Sequence, residues 1–314
     1  MTTPKRYVIA VSGGVDSVVL LDMLARRQAA VAKTAAALGE LEGEAMAYAD
    51  RPRDLLVVAH FDHGIRPESD SDARFVAGLA KQYGLVFETR REELGAGANE
   101  DLARRRRYAF LRRIAEKHDA RIVTAHHAGD ALESIALNVQ RGTGWRGLAP
   151  LGDRAITRPL LKFWKDDLYA YAAAHRLEWV EDATNHTDAY ARNVLRRRMA
   201  RELTSQDKAS LQTLWESQLK LGREISDEIA ALTEQNTVTS RYFMTMIPAD
   251  TAAELLRLLI IREGGPSLLR AQAERAVLAI RVAKAGSSHH LAAGATLQIK
   301  KRSWSVQLGE KMLL

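Results

Sequence analysis

Four times in its first 140 residues, this chain runs through a short apolar stretch and then empties into a polar or glycine-rich segment ahead of a helical pattern. "YVIAV" (7–11) leads into "SGGVDS" (12–17) and a helix opening near Asp16. "LLVVA" (55–59) leads into "HFDHGIR" (60–66) and a helix over about 70–83, where Phe75, Leu79 and Tyr83 recur on one stripe. "LVFET" (85–89) leads into Arg90 and Arg91 and a helix from about 99 to 118, with Asn99 as its N-cap. "RIVTA" (121–125) leads into "HHAGDALES" (126–134) and a helix of about 129–140. Apolar runs without polar alternation belong to strands covered on both faces. The repetition predicts an α/β fold with a doubly wound, mainly parallel sheet. Ligands of such sheets bind beyond the carboxyl ends of the strands, so the four segments should share one rim.

After about residue 200 the alternation stops. Residues 205–235 and 249–283 read as amphipathic helices with a break at "EGGPS", and "ATLQIKKRSWSVQL" reads as two short strands around a basic turn. Two domains are expected, 1–203 and a smaller, mostly helical α+β domain at 204–314. The alanine-rich stretch 28–53 is expected to form an extra surface helix. Cysteine is absent, which excludes disulfides, thiolate zinc sites, iron–sulfur clusters and persulfide chemistry. No apolar run approaches the roughly 20 residues of a membrane span, and the run behind Lys5 and Arg6 is too short for a signal-peptide core. A cytoplasmic location is the expectation. The net charge of +7, with arginine runs at 104–107 and across Arg192, Arg196, Arg197, Arg198 and Arg201, suits a polyanionic partner. Solvated helix faces would give the same runs.

The first rim segment has the form of an anion cradle. Gly13 and Gly14 permit a tight turn, Ser12 and Ser17 bring hydroxyls, and backbone amides around Val15 open onto the positive end of a helix. There is no lysine of the Walker type, and Asp16 suits an Mg²⁺ ligand better than an anion contact. In "HFDHGIR", His60, Asp62 and His63 offer metal-ligand chemistry. Alternation along an extended segment would separate His63 from the other two, which favours substrate positioning. His126 and His127 would diverge in the same way. Asp130 and Glu133, three apart at a helix start, share a face and form a carboxylate pair able to bind a metal or accept a proton. Both would also favour the helix's positive end.

With these residues in view, "SGGVDS" without a lysine resembles the loop of the N-type ATP pyrophosphatases, which cleave ATP between the α and β phosphates. "HFDHGIRPESDSDARFVAGLA", "LARRRRYAFL", "VTAHHAGDALESIALNVQRGTGWRGLAPL", "RPLL" and "DATNHTDAYARNVLR" resemble the tRNA(Ile)-lysidine synthetases within that superfamily, over roughly residues 7–200. The resemblance implies a Rossmann-like fold of the adenine nucleotide alpha hydrolase type, in a short form without the further C-terminal domain of longer members. It implies ATP-dependent joining of free L-lysine to C2 of the wobble cytidine of tRNA(Ile) with a CAU anticodon, through an adenylated intermediate, with Mg²⁺ and often as a homodimer. The smaller domain would help bind the tRNA.

Carried over position by position, the resemblance places ATP on Ser12, Gly13, Gly14, Val15, Asp16 and Ser17, with Asp16 toward Mg²⁺. Catalysis falls to Asp130, Glu133 and Arg192. Substrate or tRNA contacts fall to Asp62, His63, Arg66, Arg104, Arg107, His127 and Arg141. One departure stands out: the family pattern His-His-x-Asp-Asp-x-x-Glu-Thr here has Gly129 and Ser134 in place of the first aspartate and the threonine. Asp130 is taken as the essential carboxylate. The alternatives are a tRNA thiolation enzyme, which the lack of cysteine disfavours, and a catalytically impaired ATP- or tRNA-binding module, which Gly129 motivates.

Overall fold

A computed structural model describes residues 6–42, 56–64, 69–95, 100–142, 145–181, 191–233, 239–262, 264–292, 294–308 and 311–313. Asn99, Arg66 and residues 43–53 of the alanine-rich stretch lie outside the described residues. The chain divides into two compact units. One comprises 1–141 and 150–215, the other 142–149 and 216–314.

The first unit is built on strands β1 (Arg6–Ala10), β2 (Leu56–Asp62), β3 (Val86–Arg91), β4 (Ala120–Val123) and β5 (Ile156–Thr157). They form one sheet in the order β3-β2-β1-β4-β5, with every pairing parallel. The middle strands are covered on both faces, and the period-two alternation divides their residues between two cores. Ile9, Leu56 and Val58 join a layer with Val19 and Leu20 of α1 (Val15–Glu42), Val76 and Ala80 of α2 (Ser69–Tyr83), and Leu168 and Ala172 of α5 (Lys165–Ala174). Val8, Val57, Ala59 and Phe61 join the opposite layer with Tyr108, Phe110, Leu111 and Ile114 of α3 (Glu100–Lys117). Helix α4 (Ala128–Gln140) follows β4, and α6 (Ala191–Glu202) follows α5.

Several expectations shift. In its described part, residues 28–42, the alanine-rich stretch continues α1, which runs without interruption from Val15 to Glu42; the segment holds no proline and its alanines outweigh the one glycine, Gly39, so propensity prolongs the existing helix. Strands β2 and β3 run longer than their apolar runs. His60 and Asp62 therefore sit within β2, and Arg90 and Arg91 within β3, opposite Phe61 and Asp62. Strand β3 is an exposed edge, where pairing to one neighbour tolerates charged residues. The two-residue β5 carries too little pattern to be read from the sequence.

The second unit contains most of α7 (Ser205–Thr233) with α8 (Arg241–Met246), α9 (Ala249–Arg262) and α10 (Arg270–Val282). It also holds an antiparallel sheet of β6 (Ser288–Ala292), β7 (Ala295–Ile299), β8 (Trp304–Leu308) and β9 (Lys311–Leu313), in that order. Ala295, Leu297 and Ile299 alternate inward against Leu255, Leu256, Ile260 and Ile280. The sequence reading found β7 and β8 but not their outer neighbours, nor the six-residue α8. None of the described helices is long and apolar enough to cross a membrane.

Candidate active site

The strand order reverses between β1 and β4, because the chain adds β2 and β3 on one side of β1 and β4 and β5 on the other. That reversal opens a crevice beyond the carboxyl ends of β1 and β4. The segments 12–17 and 124–130 flank it.

Segment 12–17 is shaped by one buried hydroxyl. Ser17 Oγ accepts hydrogen bonds from the amides of Ser12 and Gly13, both at 3.2 Å, and donates to the Gly14 carbonyl at 2.8 Å. Its proton is thus used internally, and Ser17 holds the turn rather than presenting a donor outward. Gly13 has φ of +97°, a conformation that a side chain would strain. Its carbonyl accepts from the Val180 amide at 3.0 Å, so the segment after α5 braces the turn. Gly14, Val15 and Asp16 stand at the start of α1, where amides lack intrahelical partners.

Asp16 does not stand alone. Lys165 Nζ donates to its two carboxylate oxygens at 2.7 and 2.8 Å. The lysine is the first residue of α5, whose start is fixed twice: Asp167 accepts from the Trp164 amide at 2.7 Å, and the Phe163 carbonyl accepts from the Ala128 amide at 2.9 Å. Six residues on, Tyr171 donates to the buried Asp22 at 2.9 Å, so α5 advances beside α1 with a constant offset. Asp22 also accepts from Tyr83 at 2.6 Å, and both of its oxygens accept from Arg26 Nε. Burial by itself would raise the Asp22 carboxyl, but the hydrogen bonds from Arg26, Tyr83 and Tyr171 outweigh it and hold it below the ordinary aspartate value. Burial and the bond to Asp22 push the Tyr171 phenol up to about 12.

On the opposite wall, Asp130 Oδ2 accepts from the His127 amide at 2.9 Å, closing the first turn of α4. Glu133 is buried and gripped by Arg196 of α6, at 2.6 Å from Nε and 3.0 Å from Nη2. The same guanidinium lies 3.8 Å from Asp130 Oδ1. The bond to Glu133, with the charges of Asp130 and Asp16, holds Arg196 more firmly protonated than an isolated arginine. Arg196 therefore sits against both carboxylates of the first turns of α4. Glu133, so clamped, positions its neighbours and is poorly placed to take a proton. Gly129 leaves room for the buried His127 ring, since a Cβ there would come within 2.8 Å of it.

Beside Asp130, His126 accepts or donates at 2.8 Å to Thr124 Oγ1. Burial pushes its pKa down to about 4 against the pull of Asp130, with Arg158, Arg107 and Arg104 reinforcing the drop. Arg104 and Arg107 lie over the Tyr108 ring at 5.0 and 5.6 Å. Arg158 donates to the Leu151 carbonyl at 2.9 Å.

At the tip of β2, His60 Nδ1 meets the Val11 carbonyl at 2.9 Å, a structural tie. Asp62 accepts from the Gly64 amide at 2.8 Å, and the His63 ring packs edge-on against Phe61 at 4.9 Å. Among the described residues, no group of three or more His, Asp or Glu side chains is placed to hold a metal ion. Asp16 fits Mg²⁺ in a different way, since that ion takes one or two carboxylates and completes its shell with water and substrate phosphates. Arg141 ends α4, about 16 Å along the helix from Asp130, and is not gathered with the others. Arg192 lies in the first turn of α6, and its side chain is outside the described residues. The sequence reading missed Lys165, Arg158 and the pairing of Arg196. Lys165 follows "RPLL" by four residues but carries no local signal of its own.

Comparison with known proteins bears directly on this crevice. The model of the PP-loop domain family matches residues 2–203. The chain belongs to that family. Among curated relatives, the tRNA(Ile)-lysidine synthase of Azoarcus sp. (strain BH72) is 33% identical over 284 residues, covering 85% of this chain and 58% of the relative. That of Thermus thermophilus is 38% identical over 198 residues, covering 60% and 34%. The chain thus spans about half the length, or less, of these relatives. Among solved structures, the U34-tRNA thiolase NcsA from Methanococcus maripaludis aligns with a TM-score of 0.50 at 16% identity, over 70% of this chain and 73% of that one. At that identity the likeness speaks for the fold alone. In this PP-loop protein the glycine-rich turn lies between β1 and α1.

Proposed function

We propose that this chain joins free L-lysine to C2 of the wobble cytidine of an isoleucine tRNA with a CAU anticodon, using ATP and releasing pyrophosphate and AMP. The observation that supports the proposal is that the anion cradle at 12–17 and Asp130 follow the carboxyl ends of the adjacent parallel strands β1 and β4, in a PP-loop protein whose curated relatives are named tRNA(Ile)-lysidine synthase. In the first step, O2 of the cytosine attacks the α-phosphorus of ATP. The bond to the bridging oxygen breaks, and pyrophosphate leaves with its electron pair. The amides of Gly14, Val15 and Asp16 and the positive end of α1 stabilise the departing charge. Mg²⁺, when bound through Asp16, draws charge from the phosphates.

In the second step the lysine ε-amine attacks C2, a C–N bond forms, and AMP departs with the electrons of the C2–O bond. The amine has a reference pKa of about 10.4 and must lose a proton to react. Asp130 Oδ1 takes it, because Oδ2 is committed to the His127 amide. Arg192 steadies the phosphates or the adenylated base. Arg104 and Arg107, with Asp62, His63, Arg66 and Arg141, serve the substrate or the tRNA, the buried His127 acts through the amide that holds Asp130, and the domain at 204–314 adds a second tRNA contact. The resemblance extends the proposal to a homodimer.

The test is incubation of the protein with Mg²⁺-ATP, labelled lysine and unmodified CAU-anticodon isoleucine tRNA. Label should enter the tRNA, and Asp16→Ala and Asp130→Ala should each abolish its entry, a loss of at least about 100-fold. ATP binding without incorporation would favour an impaired binding module instead, the reading that Gly129 suggests.

A further inference from the structure

A cradle for phosphates that carries its own carboxylate has an electrostatic difficulty. Asp16 stands in the first turn of α1, beside the amides that would receive an anion. A bare carboxylate there favours the helix's positive end but repels a polyphosphate. The structure resolves this with Lys165, which reaches both oxygens of Asp16 and is anchored at the base by the Asp167 and Ala128 contacts of α5. Its stem passes beside Tyr169, with Nζ 5.3 Å from the ring centroid, and its side chain keeps 37% exposure. The ammonium is therefore held at the cradle's mouth yet free to move on its stem.

We propose that Lys165 is the phosphate-binding cation that the turn itself lacks: it rests on Asp16 in the nucleotide-free chain and passes to the β- and γ-phosphates when Mg²⁺-ATP arrives. The inference rests on the ATP-using reading above. Two cations, the ammonium and Mg²⁺, want the same carboxylate. Mg²⁺ brings the phosphates with it, so the displaced ammonium finds a new anion within reach of its stem. The exchange keeps the charge at the cradle balanced in both states. AMP, with no β- or γ-phosphate, offers the ammonium nothing in return. Lys165 therefore distinguishes ATP from AMP. It favours release of AMP after the second step without weakening the grip on the triphosphate.

A bridge serving only to tie α5 to α1 would give a different result, and equilibrium binding separates the two. Calorimetry with the full chain would measure Mg²⁺-ATP and AMP on the unmodified protein, Lys165→Met and Lys165→Arg, with Lys208→Met as a control. Lys208 pairs with Asp166, the next residue of α5. Lys165→Met should lose about tenfold or more in ATP affinity with AMP affinity within about twofold, and Lys165→Arg should recover most of the loss. Equal losses for ATP and AMP, or no loss for either, would overturn the proposal. AMP binding also reports folding. Should Lys165→Met fail to fold, Lys165→Gln decides. It keeps a polar tip for Asp16 but no charge for the phosphates, so it must lower ATP affinity selectively, and an equal change for both nucleotides would overturn the exchange. An unmodified chain that binds no ATP would instead overturn the ATP-using reading, and this inference with it.

Discussion

At the scale of single residues, the site sorts polar groups by how many of their bonds are already used. Ser17 has spent its donor on Gly14 and its lone pairs on two amides, so its work is to hold the turn. Glu133 is spent on Arg196. Asp130 has one oxygen on the His127 amide and the other facing the Arg196 guanidinium at 3.8 Å. Burial disfavours the charged form of His126, and the charges of Arg158, Arg107 and Arg104 add to that against the pull of Asp130, which brings its pKa down to about 4. Its folded pKa lies below the unfolded value, so the unfolded chain binds the extra proton between about pH 6.5 and pH 4. Stability from this group is complete above that window and is lost as pH falls through it. A nuclear magnetic resonance titration should find the His126 ring unprotonated at pH 5.5, and a midpoint near 6.5 would show the ring to be solvated.

At the scale of elements, buried polar contacts decide where helices sit. Asp22 is fully buried, and its four hydrogen bonds join α1 to α2 and α5. Removing the carboxylate leaves two tyrosine hydroxyls without an acceptor, so Asp22→Ala should cost about 3 kcal/mol in denaturant unfolding. The conservative Asp22→Asn should cost less, since it keeps an acceptor oxygen. In the second unit, two arginines act as helix caps. Arg241 donates to the carbonyls of Ile280 and Ala283 at the end of α10, and Arg281 donates to those of Met244 and Ile247 at the end of α8. The basic composition that first suggested a polyanionic partner is therefore partly consumed inside the fold.

At the scale of the whole molecule, each unit has its own buried core. The core of the second unit gathers Leu255, Leu256, Ile260 and Ile280 under β7 and β8. Leu256→Ala should open a cavity there at a cost of about 2–5 kcal/mol. Calorimetry should show one transition moving down while the other stays in place. The boundary between units is not a single point along the chain. Residues 145–149, shortly after α4, belong to the second unit, where Trp145 lies against Gly222 and Arg146 Nε donates to Glu254 at 2.6 Å. The chain then returns at Pro150, whose carbonyl accepts from Trp215 Nε1.

The sequence by itself determined the parallel sheet, its helices and the rim on which the chemistry collects. Strand and helix periods and glycine turns are written in neighbouring residues, and the rule that ligands sit at strand ends needs no further contacts. Short elements such as β5 and α8 escaped because few residues carry little periodicity, and the length of β2 and β3 escaped because sheet pairing, not hydropathy, ends a strand. Only the tertiary structure decided that Lys165 meets Asp16 across 149 positions and that Arg196 clamps Glu133 across 63. Those meetings follow from the strand order and from the docking of α5 and α6, which bring together residues whose local sequence says nothing about each other.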